Sequence, residues 1–177
     1  PDAARAVAAK LAADVTARDA AGSAPVEEVA LLRDSGLLGL LVPAELGGGG
    51  RPWSDGLEAV RLLAKVDASA AMLLGYHFLH LWRLSLQDNT DLWHRAARGT
   101  AEQGWFWGGA SNPRDPGLTL TREDGAYLVH GRKGFATGAQ VADRIVVSGT
   151  APEGGKVMVI VDGRDPGVRH NDDWDAI

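Results

Sequence analysis

Apolar residues recur at helical spacing over roughly the first hundred positions and at alternate positions after that, so the chain changes period near its middle. From Asp2 to Ala21, Val7, Leu11, Val15 and neighbouring alanines form one apolar stripe that Gly22 ends, which predicts a first helix. Ser23, Pro25, Glu27 and Glu28 are start signals for a second helix with Val29 and Leu32 inward, ending near Gly36. A third helix is predicted after Ser54, with Asp55 and Glu58 in its first turn. A fourth begins at an Asp67 cap, and its run "ASAAMLLGYHFLHLWRLS" is apolar nearly all round, which predicts burial on most sides. Asp91 to Gln103 reads as a last, shorter amphipathic helix. After Gly104 the segments "WFWGGAS", "LTLTRE", "YLVHGRKGFA", "DRIVVSG" and "KVMVIVD" are short and β-rich. Asp124-Gly125 and Gly154-Gly155 are hairpin turn signals between them. Helices followed by strands predict an α+β chain: an all-α domain over 1–103 and an antiparallel β-barrel or sandwich domain over 104–177.

Composition narrows the class. At 177 residues the chain is long enough for a substantial core. Its net charge of −5 argues against nucleic acid, which wants basic patches. The absence of Cys removes disulfide, thiolate-metal and thiol-nucleophile chemistry and allows a reduced, cytoplasmic setting. No apolar run approaches the roughly 18 residues of a membrane span. The opening Pro1 and the closing "NDDWDAI" are expected of a piece cut from a longer chain.

Some stretches carry candidate chemistry. The Gly47–Gly50 run follows no strand and contains no Gly-Lys-Ser/Thr, so a flexible connector between helices is expected there rather than a phosphate cradle. His77 and His80 lie three apart on one helix and face similar ways. No third ligand stands at a recognisable spacing, so no metal is expected; a satisfied buried histidine and a polar group lining a cavity both remain. Trp105 and Trp107 alternate on a strand, and Trp174 sits among acidic residues, where core packing and pocket lining are both open. In "KGFATGA", Phe135 and Thr137 would share one strand face. An aromatic ring beside a hydroxyl suits a flat heteroaromatic ligand, whose face packs on the ring and whose edge takes hydrogen bonds. A β-bulge without a ligand fits the same residues.

Taken in order, "LLGLLVPAELGGGG", "DGAYLVHGRKGFATGAQVADRIVVSGT" and "GRDPGVR" resemble segments of the acyl-CoA dehydrogenase superfamily of flavoenzymes. "GYH", a "GxAS"-like first strand, "KxFx[ST]GA" and "DDW" resemble its flavin-dependent monooxygenase branch more narrowly. The resemblance implies a flavin, FMN rather than FAD, supplied reduced by a separate flavin reductase. Oxygen would then pass to a sulfur, nitrogen or aromatic carbon of a small molecule, in a homotetramer completed by a C-terminal helical bundle. It places Phe135 against the flavin, Thr137 at its reactive side, and Ala136, Gly109, Ala110 and Ser111 along its edge. His77 and Trp174 would line the substrate and oxygen pocket, with His77 titrating near neutrality to move a proton. Two departures stand out: Gly109 replaces an Asn frequent in relatives, and Asn112 stands where dehydrogenases carry Glu, with "RDPG" in place of their acyl-CoA-holding segment. An FAD-dependent acyl-CoA dehydrogenase and a non-catalytic fragment of the same fold are the alternatives.

Overall fold

The computed structural model describes residues 1–112, 114–115 and 117–171. Its helices are α1 (Asp2–Leu11), α2 (Val15–Ala21), α3 (Val26–Asp34), α4 (Trp53–Ala64), α5 (Ala68–Ser85) and α6 (Thr90–Gln103). Its strands are β1 (Trp107–Ala110), β2 (Leu118–Glu123), β3 (Ala126–His130), β4 (Arg144–Thr150) and β5 (Lys156–Asp162). The expected first helix is two helices. Residues between Leu11 and Val15 turn the chain, and Arg18 of α2 is drawn to three carboxylates: Asp14 at 2.8 Å, Glu28 at 2.5 Å and Asp67 at 2.9 Å. Asp67 also caps α5, its Oδ1 accepting the Ala70 N–H at 2.8 Å, so one carboxylate joins a helix start to the ion cluster.

The Gly47–Gly50 run is a packed loop, contrary to the flexible connector expected. Gly48 N–H donates to Pro43 O, Gly49 N–H to Gly39 O and Gly50 N–H to Val42 O. A Cβ on Gly48 would collide with the Val42 side chain and carbonyl, so the close approach itself requires glycine.

Both hairpin turns form where the sequence puts them. Asp124 and Gly125 take φ of 47° and 82° between β2 and β3, and Gly154 and Gly155 take 88° and 91° between β4 and β5. The sheet is nevertheless mixed, not antiparallel. β2–β3 and β4–β5 are antiparallel, while β1–β4 and β2–β4 are parallel. Turn signals report only sequence-adjacent pairs; the parallel pairs join strands that are not neighbours in the chain. β5 runs along one edge of β4 from end to end. The other edge is shared: β1 pairs with Arg144–Val147, and β2 with Gly149 and Thr150.

Helices and sheet share their core. Val7, Leu32, Leu63, Leu74 and Phe78 pack in one cluster with Phe106, Ala110 and Ile145, and Leu81, Leu84 and Ala97 pack with Trp107 and Val146 in another. α5 lies between them, buried along its length but open on one side. Met72, Tyr76, Leu79 and Trp82 form an exposed apolar stripe on it. No helix among the described residues is long and apolar enough to cross a membrane.

Candidate functional site

The segment from Gly131 to Thr137 is not a strand. Phe135 takes a left-handed φ of 51°, unusual for an aromatic residue, and Thr137 N–H donates to Phe135 O at 3.1 Å, closing a three-residue turn. Phe135 and Thr137 therefore do not share a pleated face. The turn instead projects the Phe135 ring outward, 66% exposed, and Gly109 N–H donates to Thr137 O at 3.1 Å. That bridge fixes the Phe135-Ala136-Thr137 turn on β1, beside Gly109, Ala110 and Ser111. Five of the six expected flavin contacts, Gly109, Ala110, Ser111, Ala136 and Thr137, are thus brought to one place, with Phe135 standing out from it.

The turn is held from its other side by the loop after β1. Asp115 Oδ2 accepts the Gly134 N–H at 2.6 Å, and Lys133 Nζ donates to Asn112 O at 3.1 Å. Asn112 is spent inside this loop: Oδ1 accepts the Arg114 N–H at 3.1 Å, and Nδ2 donates to Asp115 Oδ1 at 3.1 Å. Ser111 Oγ is buried and has no partner among the described residues. Sequence pattern gave no sign of Asp115, because its partner is a backbone group nineteen positions away.

His77 is placed elsewhere. It is fully buried, with Nε2 2.9 Å from Leu38 O and Nδ1 accepting the Trp107 N–H at 3.2 Å. The second bond makes Nδ1 the acceptor, so Nε2 carries the proton and donates to Leu38. The ring also stacks on Phe106 with centroids 5.6 Å apart and 8° between planes. Burial pushes its pKa down to about 4, against the Leu38 hydrogen bond and with the help of His80. His77 is a neutral tie between helix, loop and strand; the expectations that it lines the pocket and titrates near neutrality are both corrected. Burial on α5 outweighs the polarity of its side chain because both ring nitrogens are satisfied.

The tryptophans divide. Trp107 is sealed in the core, and its indole N–H donates to Thr100 Oγ1 at 2.8 Å. The Arg144 guanidinium lies 3.9 Å from the Trp105 ring centroid, a cation–π contact. Trp174 lies outside the described residues. Among the described residues no group of acidic or histidine side chains is arranged to hold a metal.

This geometry suits one face and one polar edge of a planar ligand. Phe135 offers an aromatic surface, the Thr137 hydroxyl and neighbouring backbone offer edge partners, and the Ser111 hydroxyl is a buried group lacking one.

Comparison with known proteins gives the chain a lineage. Residues 2–86 match the family model for the acyl-CoA dehydrogenase N-terminal domain. The chain is 37% identical over 177 residues to a probable FMNH2-dependent monooxygenase, SfnC, of Pseudomonas putida, covering 98% of this chain and 45% of the relative. It is 39% identical over 180 residues to a dibenzothiophene monooxygenase of Mycolicibacterium goodii, covering 92% of this chain and 42% of that one. The crystal structure of FMN-bound TdsC from Paenibacillus sp. A11-2 matches it with a TM-score of 0.91 at 33% identity, covering 99% of this chain and 46% of TdsC. The chain spans a little under half the length of these relatives. By domain match, fold and near-complete coverage of its own length, the chain belongs to the acyl-CoA dehydrogenase superfamily and is similar throughout to that family's FMN-dependent monooxygenases.

Proposed function

We propose that the protein is the flavin-binding part of a two-component monooxygenase that uses reduced FMN and O2 on a small sulfur-, nitrogen- or aromatic-containing molecule, with a separate flavin reductase as partner. The bridge between Thr137 O and Gly109 N–H carries this reading, because it fixes an exposed aromatic, a hydroxyl and an unpartnered buried hydroxyl around one edge. Bound reduced FMN would supply two electrons, so that one atom of O2 enters the substrate and the other leaves as water. Phe135 would pack on the ring face, Thr137 would hydrogen-bond its edge, and Ala136, Gly109, Ala110 and Ser111 would line that edge. His77 holds the β1 backbone in place and moves no proton. The commitment of Asn112 to Arg114 and Asp115 weighs against its serving an acyl thioester. The apolar stripe Met72, Tyr76, Leu79 and Trp82 supports an assembly in which this face is covered, as the tetramer of the resemblance would require.

The test is FMN binding followed by turnover with photoreduced FMN, air and a sulfur heterocycle. Thr137→Ser should bind FMN as the parent does and Thr137→Val about tenfold more weakly, the equivalent of one hydrogen bond. Equal binding by both would remove Thr137 from the site. Complete return of the reducing equivalents as hydrogen peroxide, with no oxygenated product from a panel of sulfides, amines and indoles, would refute the monooxygenase.

A further inference from the structure

His80 presents a second anomaly beside Ser111. It is 3% exposed, yet neither ring nitrogen has a hydrogen-bond partner among the described residues. Native interiors satisfy nearly all such groups, and a neutral imidazole left bare forfeits one donor and one acceptor. The ring lies over β1. A Cβ built on Gly109 would fall inside contact distance of His80 Cε1 and Nε2, so the imidazole fills the volume into which a side chain at position 109 would project. Gly109 is also the residue whose N–H fixes the Phe135–Thr137 turn. Ser111 follows two positions along the chain, just past the end of β1. The unpartnered hydroxyl and the unpartnered imidazole therefore flank the anchor of the candidate flavin turn. Tyr76 is a further neighbour, its ring 5.8 Å from that of His80 and 40% exposed.

We propose that His80 and Ser111 form a polar subsite that hydrogen-bonds the nitrogen- and oxygen-bearing edge of the bound flavin, with His80 supplying from helix α5 the polar group that Gly109 lacks on the strand. This rests on the flavin reading above. The subsite works with a neutral imidazole, one nitrogen donating and the other accepting; burial, with the nearby Arg83 charge, pushes the His80 pKa down to about 4. Gly109 and His80 are a matched pair: a side chain at one requires a smaller residue at the other.

The experiment combines FMN titration, thermal melting and 15N spectra of histidine-labelled protein. On saturation with FMN the His80 ring resonances should move while those of exposed His94 stay. His80→Phe should bind FMN about tenfold more weakly without melting lower, because an apolar ring replaces nitrogens that had no partner. Ser111→Ala should weaken binding several-fold. His80→Ala should lose affinity, and His80→Ala combined with Gly109→Asn should recover it, since the polar group then comes from the strand. Static His80 resonances at saturation, or parent-like affinity in His80→Phe, would overturn the proposal and leave a trapped water as the imidazole's partner. Absence of saturable FMN binding by the parent would instead bring down the flavin reading itself, and this subsite with it.

Discussion

Replacing His77 by phenylalanine should be among the costlier single changes in this protein. Phenylalanine fills the space and keeps a ring over Phe106, so no large cavity opens. What disappears is a pair of buried hydrogen bonds, from Nε2 to Leu38 O and from Trp107 N–H to Nδ1. Each orphaned backbone group costs about 1–3 kcal/mol, so the loss is about 2–6 kcal/mol at pH 7. For a domain of this size that is a fall of about 5–20 °C in melting temperature. A second signature is specific to the titration. The folded-state pKa of His77 lies near 4, below the ordinary 6.5, so the unfolded chain takes up the proton first as pH falls. The stability that neutral His77 supports is fully present above pH 6.5 and drains away between 6.5 and 4, by on the order of 3 kcal/mol. His80 shifts the same way and adds a comparable slope in that window. Urea unfolding between pH 7 and pH 4.5 should give close to two protons' worth of slope in the parent and close to one in His77→Phe. An unchanged melting temperature at pH 7, or an acid slope identical in both proteins, would refute the assignment of His77 as a neutral internal tie.

Other side chains make sharper local statements. Asp143 is 6% exposed, accepts the Phe106 N–H at 2.9 Å and Arg33 Nη2 at 3.0 Å, and also pairs with Arg164; Asp143→Ala should cost about 2–4 kcal/mol in urea unfolding. Asp115→Ala should leave the fold nearly as stable while weakening FMN about five-fold, because it frees the Gly134 end of the Phe135 turn; fluorescence quenching of FMN reads this directly. Gly48→Ala should lose about 1–3 kcal/mol in thermal melting by forcing Val42 aside.

Much of this architecture is legible in the sequence because its signals are local. The Asp67 cap, the two glycine turns and the change of period near Gly104 each act over a few residues, and each appears in the structure. The "KGFAT" segment is conspicuous for the same reason: an aromatic, a hydroxyl and a glycine interrupt an apolar alternation. What the sequence hides is which distant groups meet. Alternation can mark His77 and His80 as inward-facing, but not that one finds a carbonyl at Leu38 and an amide at Trp107 while the other finds Gly109. The parallel pairing of β1 and β2 with β4 and the hold of Asp115 on Gly134 are hidden likewise, both being long-range.

The shared edge of β4 carries one more consequence. β1 leaves it at Val147 and β2 joins it at Gly149, so the chain between Ala110 and Leu118 departs and returns at almost the same rung of the ladder. A segment with endpoints so close can lengthen, shorten or change composition without shifting a single pairing in the sheet, and the entropic cost of added residues grows only logarithmically. Because Asp115 in this excursion holds the Gly134 end of the anchored turn, a change there reaches the site without passing through the sheet.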